Sequence, residues 1–243
     1  MRLIDLLNEG VYDPGILKCV FLAGGPGSGK SKVAKDIFGI ANGLSVSSTG
    51  LKSVNSDTAF EHELKKNGID PKDLARIKSE DPALWDKITK DPKGVRELAK
   101  QTTQKIKSFY EAGRLGMIID GTGDDVAKIQ KQKQRAESLG YDCYMVFVNT
   151  SLEVAQERNK MRDRSLPPDL VNDIWKDCQQ NMGKFQSIFG GNFRIVDNSK
   201  NGNNVTSDVR KAVDGFIRSD IRNPLGKEWI ATQKALKNAN IIK

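Results

Sequence analysis

A glycine-rich octapeptide between an apolar run and a helical pattern constrains this chain more than any other feature. Its sequence is GGPGSGKS, residues 24–31, and it matches the phosphate-binding loop G-x-x-x-x-G-K-[ST] at every defined position. The apolar run Ile16–Ala23 precedes it, and the helical pattern Ser31–Ile40 follows it. Because this is the strand–loop–helix order that the motif requires, we predict a nucleoside triphosphate site rather than a glycine-rich turn with a chance lysine.

Each residue type in the loop has a physical reason. The glycines allow successive backbone N–H groups to turn toward one anion, and the helix N-terminus adds positive potential. Lys30 can reach the outer phosphates, and the Ser31 hydroxyl can ligate Mg²⁺. We therefore predict ATP, or GTP, with Mg²⁺ as the bound cofactors. The predicted nucleotide-binding residues are Gly25, Pro26, Gly27, Ser28, Gly29, Lys30, Ser31 and Lys32.

Apolar runs alternate with helical patterns along the rest of the chain. The predicted strands are residues 16–23, 51–55, 115–119, 142–148 and 193–196. Strands that alternate with helices predict an α/β protein with the P-loop NTPase fold, in which a five-stranded parallel sheet has helices on both faces. We expect a single domain over residues 1–243. Its expected parts are a core at 16–198, a helical insertion at 58–113 and a basic helical extension at 203–243.

The helical insertion has three breaks, at the Asp-Pro pairs 70–71, 81–82 and 91–92. At each break the aspartate can cap a helix and the proline can occupy its first turn. An apolar stripe predicts that the last helix of the insertion returns the chain to the sheet. The stripe consists of Val95, Leu98, Ala99, Thr102, Ile106, Phe109 and Tyr110.

Composition limits the chemistry that the chain can perform. His62 is the only histidine, which argues against Ser-His-Asp catalysis and against metal sites built from histidine. The three cysteines, at positions 19, 143 and 178, form no C-x-x-C pair, so we expect buried, reduced thiols without a disulfide or zinc. No signal peptide or membrane span is evident, and we expect a cytoplasmic protein with no membrane partner. Catalysis must rest on carboxylates, cations and a metal.

The net charge of +8 favours anionic partners. From Lys200 onward the chain has nine lysines and arginines against four acidic residues. Such a basic segment can bind nucleic acid, and the alternative interpretation is a solvated helix surface. The sequence does not indicate a protein partner.

Two acidic residues directly follow predicted strands. Asp120 ends the strand at 115–119, where it can hold the water shell of the metal, and the alternative is a simple turn residue. Asp57 follows the second strand at the same edge of the sheet, and we predict that it accepts the proton of an acceptor hydroxyl. The competing interpretation is local. The segment Thr58–Glu61 matches a capping box, so that Asp57 would merely precede a helix and complement its dipole.

Three arginines, Arg158, Arg162 and Arg164, end a predicted helix at residues 152–163. The first two are four residues apart and are therefore expected on one helix face. We predict that all three close over the triphosphate as an arginine-rich mobile lid. A charged helix end is the alternative interpretation.

The order of these motifs resembles that of the P-loop kinases that include zeta toxins and the kinase domain of bacteriophage polynucleotide kinase. The resemblance runs from about Leu17 to Asn198. It implies that Asp57 is the general base, that Lys30 and Ser31 hold the phosphates and Mg²⁺, and that the three lid arginines stabilise transfer. The motifs that carry it are the loop at 24–31, Asn55-Ser56-Asp57, the segment IIDGTG at 118–123, Arg158-Asn159-x-x-Arg162 and Leu166-Pro167-Pro168.

Two departures from the family pattern bear on the acceptor. Residues 42–50 lengthen the interval between Lys30 and Asp57, and Asp120 stands where zeta toxins tend to carry a glutamate. The resemblance implies ATP- and Mg²⁺-dependent transfer of the γ-phosphoryl group to a hydroxyl, with a nucleotide or nucleic-acid 5′-hydroxyl favoured. The alternatives are the hydroxyl of a UDP-sugar, another small metabolite, or a nucleotide-dependent switch that transfers nothing.

Overall fold

The sheet is all parallel and has the strand order β2-β3-β1-β4-β5. The computed structural model describes residues 11–13, 15–40, 46–162, 165–200 and 207–239. All five predicted strands are confirmed, with their ends moved by two residues or fewer. The strands are β1 (Lys18–Ala23), β2 (Lys52–Val54), β3 (Met117–Gly121), β4 (Asp142–Asn149) and β5 (Phe193–Asp197).

Helices connect the strands and extend beyond the last one. Several begin at an aspartate, asparagine or serine side chain that accepts a backbone N–H of the first turn, as the cap positions predict. The helices in the described ranges are α1 (Lys30–Phe38), α2 (Ser56–Lys66), α3 (Leu74–Glu80), α4 (Pro82–Thr89), α5 (Val95–Ala112), α6 (Val126–Ser138), α7 (Leu152–Lys160), α8 (Pro168–Phe189), α9 (Ser207–Arg218) and α10 (Pro224–Asn238).

Strand β1 lies at the centre of the sheet, and all six of its residues are buried. Alternate side chains point to opposite faces, as in any strand. Phe21 packs in the cluster that includes Phe185 of α8, whereas Val20 packs with Val33 of α1 and Val213 of α9. Helices therefore cover both faces, as the α/β pattern predicts. The three cysteines are buried, and their thiols are free.

The helical insertion has a small apolar core of its own. Helices α2 and α5 pack on each other, and the breaks between the helices lie at the predicted Asp-Pro pairs. The apolar stripe on α5 is only partly covered, because Leu98, Ile106 and Phe109 are 39%, 37% and 57% exposed. The buried cluster of the insertion consists of Phe60, Leu64, Leu74, Ile77, Ile88, Val95 and Ala99.

The basic C-terminal helices pack against the sheet. Val209, Val213 and Ile217 of α9 are buried in one apolar cluster of the sheet, and Trp229 of α10 packs against the other. The division of the chain into core, insertion and extension stays a prediction. None of the described helices is long and apolar enough to cross a membrane.

Close contact between two glycines allows α10 to reach the end of α6. A Cβ atom added at Gly226 would lie 2.3 Å from the carbonyl oxygen of Gly140. We therefore expect Gly226→Ala to lower the free energy of unfolding by about 2 kcal/mol, because one of the two backbones must shift. The measurement is a urea titration followed by circular dichroism.

Gly183→Ala is the matched control for this prediction. Gly183 lies inside α8, and an added Cβ there would meet no atom within 4 Å. Alanine is the better helix former, so this variant should be more stable by up to about 1 kcal/mol. Equal stability of the Gly226→Ala variant and the wild-type protein would contradict the close contact.

Candidate active site

The glycine-rich loop lies at the carboxyl end of β1 and packs closely against the backbone of β4 and α7. A Cβ atom added at Gly24 would lie 2.5 Å from the carbonyl oxygen of Val148, and one at Gly27 would lie 2.2 Å from that of Ala155. Both distances are shorter than any real Cβ contact. Glycine is thus required at these positions because neighbouring backbone approaches so closely.

Side chains from other elements hold the loop in place. The Lys30 ammonium donates to the carbonyl oxygen of Gly24 at 2.5 Å. Arg158 of α7 places its Nη1 atom 3.5 Å from the carbonyl oxygens of Gly27 and Ser28. The Asn198 amide donates to the carbonyl oxygen of Ser28 at 2.7 Å. The loop therefore has a fixed shape, and Lys30 and Arg158 place two positive charges beside it.

Asn198 was missed by the sequence analysis. It directly follows β5, at the edge of the sheet where the loop lies, and an added Cβ at Gly29 would lie 2.2 Å from its amide nitrogen. A polar residue after a strand in an α/β sheet is the signal that could have identified it.

One asparagine joins Asp57, which follows β2, to Asp120, which is the last residue but one of β3. The Asn55 side-chain oxygen accepts the backbone N–H of Asp57 at 2.7 Å, and its amide nitrogen donates to Oδ2 of Asp120 at 2.8 Å. Asn55 is also the N-cap of α2. The two acidic residues are thus linked where the carboxyl ends of β2 and β3 meet, as the order of strands and acids in the sequence predicts.

The local interpretation of Asp57 is confirmed for the helix dipole, because Asp57 is an acidic residue in the first turn of α2, and it is wrong for the capping box. Helix α2 begins at Ser56, so Asp57 lies in its first turn rather than before it, and the predicted capping box at Thr58–Glu61 does not start the helix. The physical reason is that the Asn55 side chain already accepts a first-turn N–H three residues upstream of Thr58.

Asp57 has a partner that the sequence analysis did not identify. Nη1 of Arg96, near the start of α5, lies 3.2 Å from Oδ1 of Asp57, and the guanidinium carbon lies 4.9 Å from the ring centroid of Phe60. The Asp57 side chain is 51% exposed. The carboxylate is therefore held by a cation and still open to a molecule that approaches from solvent.

Asp120 is the more buried of the two acids. Burial raises the pKa of its carboxyl group, the positive charge of Lys30 opposes this shift, and the negative charge of Asp57 adds to it. Its Oδ1 atom is buried and makes no hydrogen bond with the described residues. An oxygen of this kind beside Lys30 is suited to a cation or its water shell.

The donor set at the loop fits Mg²⁺. This ion takes one or two protein oxygens and completes its octahedron with phosphate oxygens and waters. Ser31 in the first turn of α1 and Asp120 near the carboxyl end of β3 supply two such oxygens at the same edge of the sheet. No group of three or more His, Cys, Asp or Glu residues that could hold a metal by itself occurs in the described ranges.

Of the three arginines predicted to form a lid, only Arg158 lies on the helix as predicted. Helix α7 ends at Lys160, so the prediction that Arg162 shares a helix face with Arg158 is wrong. Arg162 lies in the turn beyond the helix and is exposed, and Arg164 lies outside the described residues, as do residues 42–45 of the lengthened interval. Asn159 explains the early end of the helix, because its side chain exchanges two hydrogen bonds with the backbone of Leu166.

The raised pKa of Asp120 predicts a pH-dependent effect of Asp120→Asn. A carboxyl group whose pKa is higher in the folded than in the unfolded protein costs stability once the pH exceeds its unfolded pKa, near 4. The variant should therefore melt at a higher temperature than wild type at pH 7 without nucleotide and Mg²⁺. The gap should shrink as the pH falls toward 4, which scanning calorimetry measures. A gap that is independent of pH, or a less stable variant at pH 7, would contradict the burial of this charge.

Known structures resemble this chain in fold at low sequence identity. No curated protein shows significant sequence similarity to the chain. A solved structure from the PezAT chromosomal toxin–antitoxin system of Streptococcus pneumoniae is 14% identical, with a TM-score of 0.50, and the match covers 99% of this chain and 93% of that chain. A shikimate kinase from Bacteroides thetaiotaomicron is 15% identical, with a TM-score of 0.42, and the match covers 90% of this chain and 98% of that one.

At such low identity the likeness concerns the fold, and it confirms the P-loop fold that the resemblance to the zeta toxin group implied. The sequence model of the AAA domain family matches residues 20–184, which is more than half of the chain. The matched segment contains the phosphate-binding loop, Asn55, both acidic residues and Arg158. The chain therefore belongs to the AAA domain family.

Proposed function

We propose that this protein is a kinase that transfers the γ-phosphoryl group of ATP, with Mg²⁺, to a hydroxyl group. The observation that carries the proposal is the Asn55 side chain, which joins Asp57 to Asp120 beside the Lys30 loop. A nucleotide switch needs the loop and one acid near the metal. The second acid, open to solvent and held by Arg96, is what an acceptor hydroxyl requires.

The chain supplies a group for each part of the transfer. The loop N–H groups and Lys30 bind the phosphates, and Ser31 and Asp120 would hold Mg²⁺, which neutralises phosphate charge when bound. Asp57 takes the proton of the acceptor hydroxyl as its oxygen forms a bond to the γ-phosphorus. The bond from that phosphorus to the bridging oxygen breaks, and ADP leaves. Arg158, Arg162 and Arg164 would stabilise the charge on the group in transit.

Two observations support an anionic acceptor. Arg96 places a cation directly beside Asp57, on the side of the helical insertion, and the chain as a whole is basic. A nucleotide or nucleic-acid 5′-hydroxyl is the acceptor we favour, with the basic C-terminal helices as a further surface for nucleic acid. A UDP-sugar is also anionic, and the likeness in fold to a protein of a toxin–antitoxin system is the reason to test it.

The assignment of the base predicts the result of Asp57→Asn. This change removes the proton acceptor but leaves the loop intact, so phosphoryl transfer should fall by a factor of about 10² to 10⁴ while the affinity for ATP is retained. The measurement is transfer from γ-labelled ATP, together with equilibrium binding of a fluorescent ATP analogue. Glu61→Gln, an exposed site one turn further along α2, is the control and should behave as wild type. An Asp57→Asn variant with full transfer activity would refute the assignment.

The position of Arg96 predicts a selective effect on the acceptor. We expect Arg96→Gln to raise the KM for an acceptor that carries a phosphate by about tenfold, the value of one charge-assisted hydrogen bond, and to leave the KM for ATP unchanged. Oligonucleotides with a 5′-hydroxyl, nucleoside 3′-monophosphates and UDP-sugars are the acceptors to compare. If the KM values for ATP and for the acceptor rise equally, Arg96 stabilises the site as a whole and does not bind the acceptor. Slow ATP hydrolysis with label on none of the acceptors would favour the switch.

A further inference from the structure

A second pocket lies at the opposite edge of the sheet from the phosphate-binding loop. It has a volume of about 600 Å³ and is formed by the start of β4, the start of β5 and the segment that joins α9 to α10. The loop follows the carboxyl end of β1, whereas this pocket lies at the amino ends of the strands. The two sites are therefore at opposite ends of the strands.

Most charged groups around the pocket are already paired. Lys133 and Glu137 form an ion pair of 2.5 Å across one turn of α6. Asp142 accepts from the buried Lys18 ammonium at 3.2 Å and from the backbone N–H groups of Arg222 and Asn223 at 2.9 Å each. These pairs leave no net charge on the part of the wall that they form.

The guanidinium groups of Arg194 and Arg222 are not part of these ion pairs. Nη1 of Arg194 donates to the carbonyl oxygens of Gly191 and Phe193, at 2.9 and 2.7 Å, and these bonds fix the guanidinium group. The other N–H donors of Arg194 make no hydrogen bond to any described residue. The Arg222 guanidinium makes no hydrogen bond or ion pair within the described ranges. Its charge adds to burial in lowering the pKa of Lys18. The charge of Asp220 acts on Lys18 in the opposite direction, but Asp220 does not line the pocket. The two guanidinium groups therefore leave an excess of positive charge on the lining.

An aromatic wall stands next to these cations. The rings of Tyr144 and Phe216 lie with their centroids 4.8 Å apart, and both residues line the pocket. The Lys18 ammonium lies over the Phe216 ring as well, 4.8 Å from its centroid. Tyr144 is only 3% exposed, and its hydroxyl has no hydrogen-bond partner among the described residues. Burial raises the pKa of this hydroxyl and the charge of Arg194 opposes the shift, which reflects how close the two groups lie.

We propose that this pocket binds a small organic anion, whose aromatic body lies against the partly exposed Phe216 and whose phosphate or carboxylate group is held by Arg194 and Arg222. Guanidinium groups suit both kinds of oxyanion, and the volume is that of a site for a small ligand. The pocket shares no residue with the phosphate-binding loop, so this site is independent of the proposed kinase activity.

Titration with small aromatic probes tests the proposal. Phenyl phosphate, benzoate and phenol are added to the full chain, and binding is followed by two-dimensional NMR of the labelled protein. The two anions should shift the resonances of residues around Tyr144 and Phe216, whereas the uncharged phenol should bind at least about tenfold more weakly. Binding should persist in a Lys30→Met variant, because the phosphate-binding loop is at the other edge. Equal binding of phenol, or loss of binding in Lys30→Met, would overturn the proposal.

Variants of the two arginines give a second test. Arg194→Gln and Arg222→Gln should each weaken the binding of phenyl phosphate by about tenfold, the value of one charge-assisted hydrogen bond. Arg218→Gln is the matched control, since this exposed arginine on α9 does not line the pocket, and its affinity should equal that of wild type. A uniform loss in all three variants would show that only net charge matters and would refute the assigned site.

Discussion

The pairing of β1 with both β3 and β4 is the constraint on which the rest of the structure depends. A parallel strand that is buried on both faces and paired on both edges must lie at the centre of its sheet, and its following loop lies at the centre of the carboxyl edge. The connection at each other strand then places at least one functional residue near the loop. Asn55 and Asp57 follow β2, Asp120 lies near the end of β3, Arg158 comes from the helix after β4, and Asn198 follows β5.

Hydrogen bonds from amide side chains hold this edge together, and a buried charge opposes them. Asn55 donates to the carboxylate of Asp120 and accepts the backbone N–H of Asp57, and Asn198 holds the loop from the far side. Against this, burial raises the pKa of Asp120, whose Oδ1 atom has no hydrogen bond to the described residues. A group that costs stability in the protein alone is typical of a functional site, because a ligand can relieve the cost. Here that ligand would be Mg²⁺ with its nucleotide.

The sequence predicted the architecture well, because every strand and most helices are marked by local patterns. Apolar runs located the five strands, and Asp-Pro pairs located the breaks in the insertion. The motif order placed Lys30, Asp57 and Asp120 at one edge, since parallel strands all end there. These inferences needed only the periodicity of the chain and the direction of its strands.

The errors of the sequence-based predictions have two sources, contacts between residues that are distant in sequence and the choice of helix caps. Arg96 is 39 positions from Asp57, and nothing in the local pattern of α5 shows that it reaches the first turn of α2. Two helix ends were also predicted wrongly. Asn55, itself a preferred N-cap residue, starts α2 ahead of the capping box, and Asn159 ends α7 by bonding to Leu166. The stripe on α5 predicted the helix, but coverage of Leu98 and Phe109 depends on which elements pack there.

The fate of the γ-phosphoryl group tests the central claim most directly. ³¹P NMR of the wild-type protein with Mg²⁺, ATP and a 5′-hydroxyl oligonucleotide or UDP-sugar would follow ATP, ADP, inorganic phosphate and phosphomonoester together. If Asp57 and Asp120 serve phosphoryl transfer, ADP and a phosphomonoester of one acceptor should appear in equal amounts, with little inorganic phosphate. ADP matched by inorganic phosphate alone, with every acceptor unchanged, would contradict the assignment of this site to phosphoryl transfer.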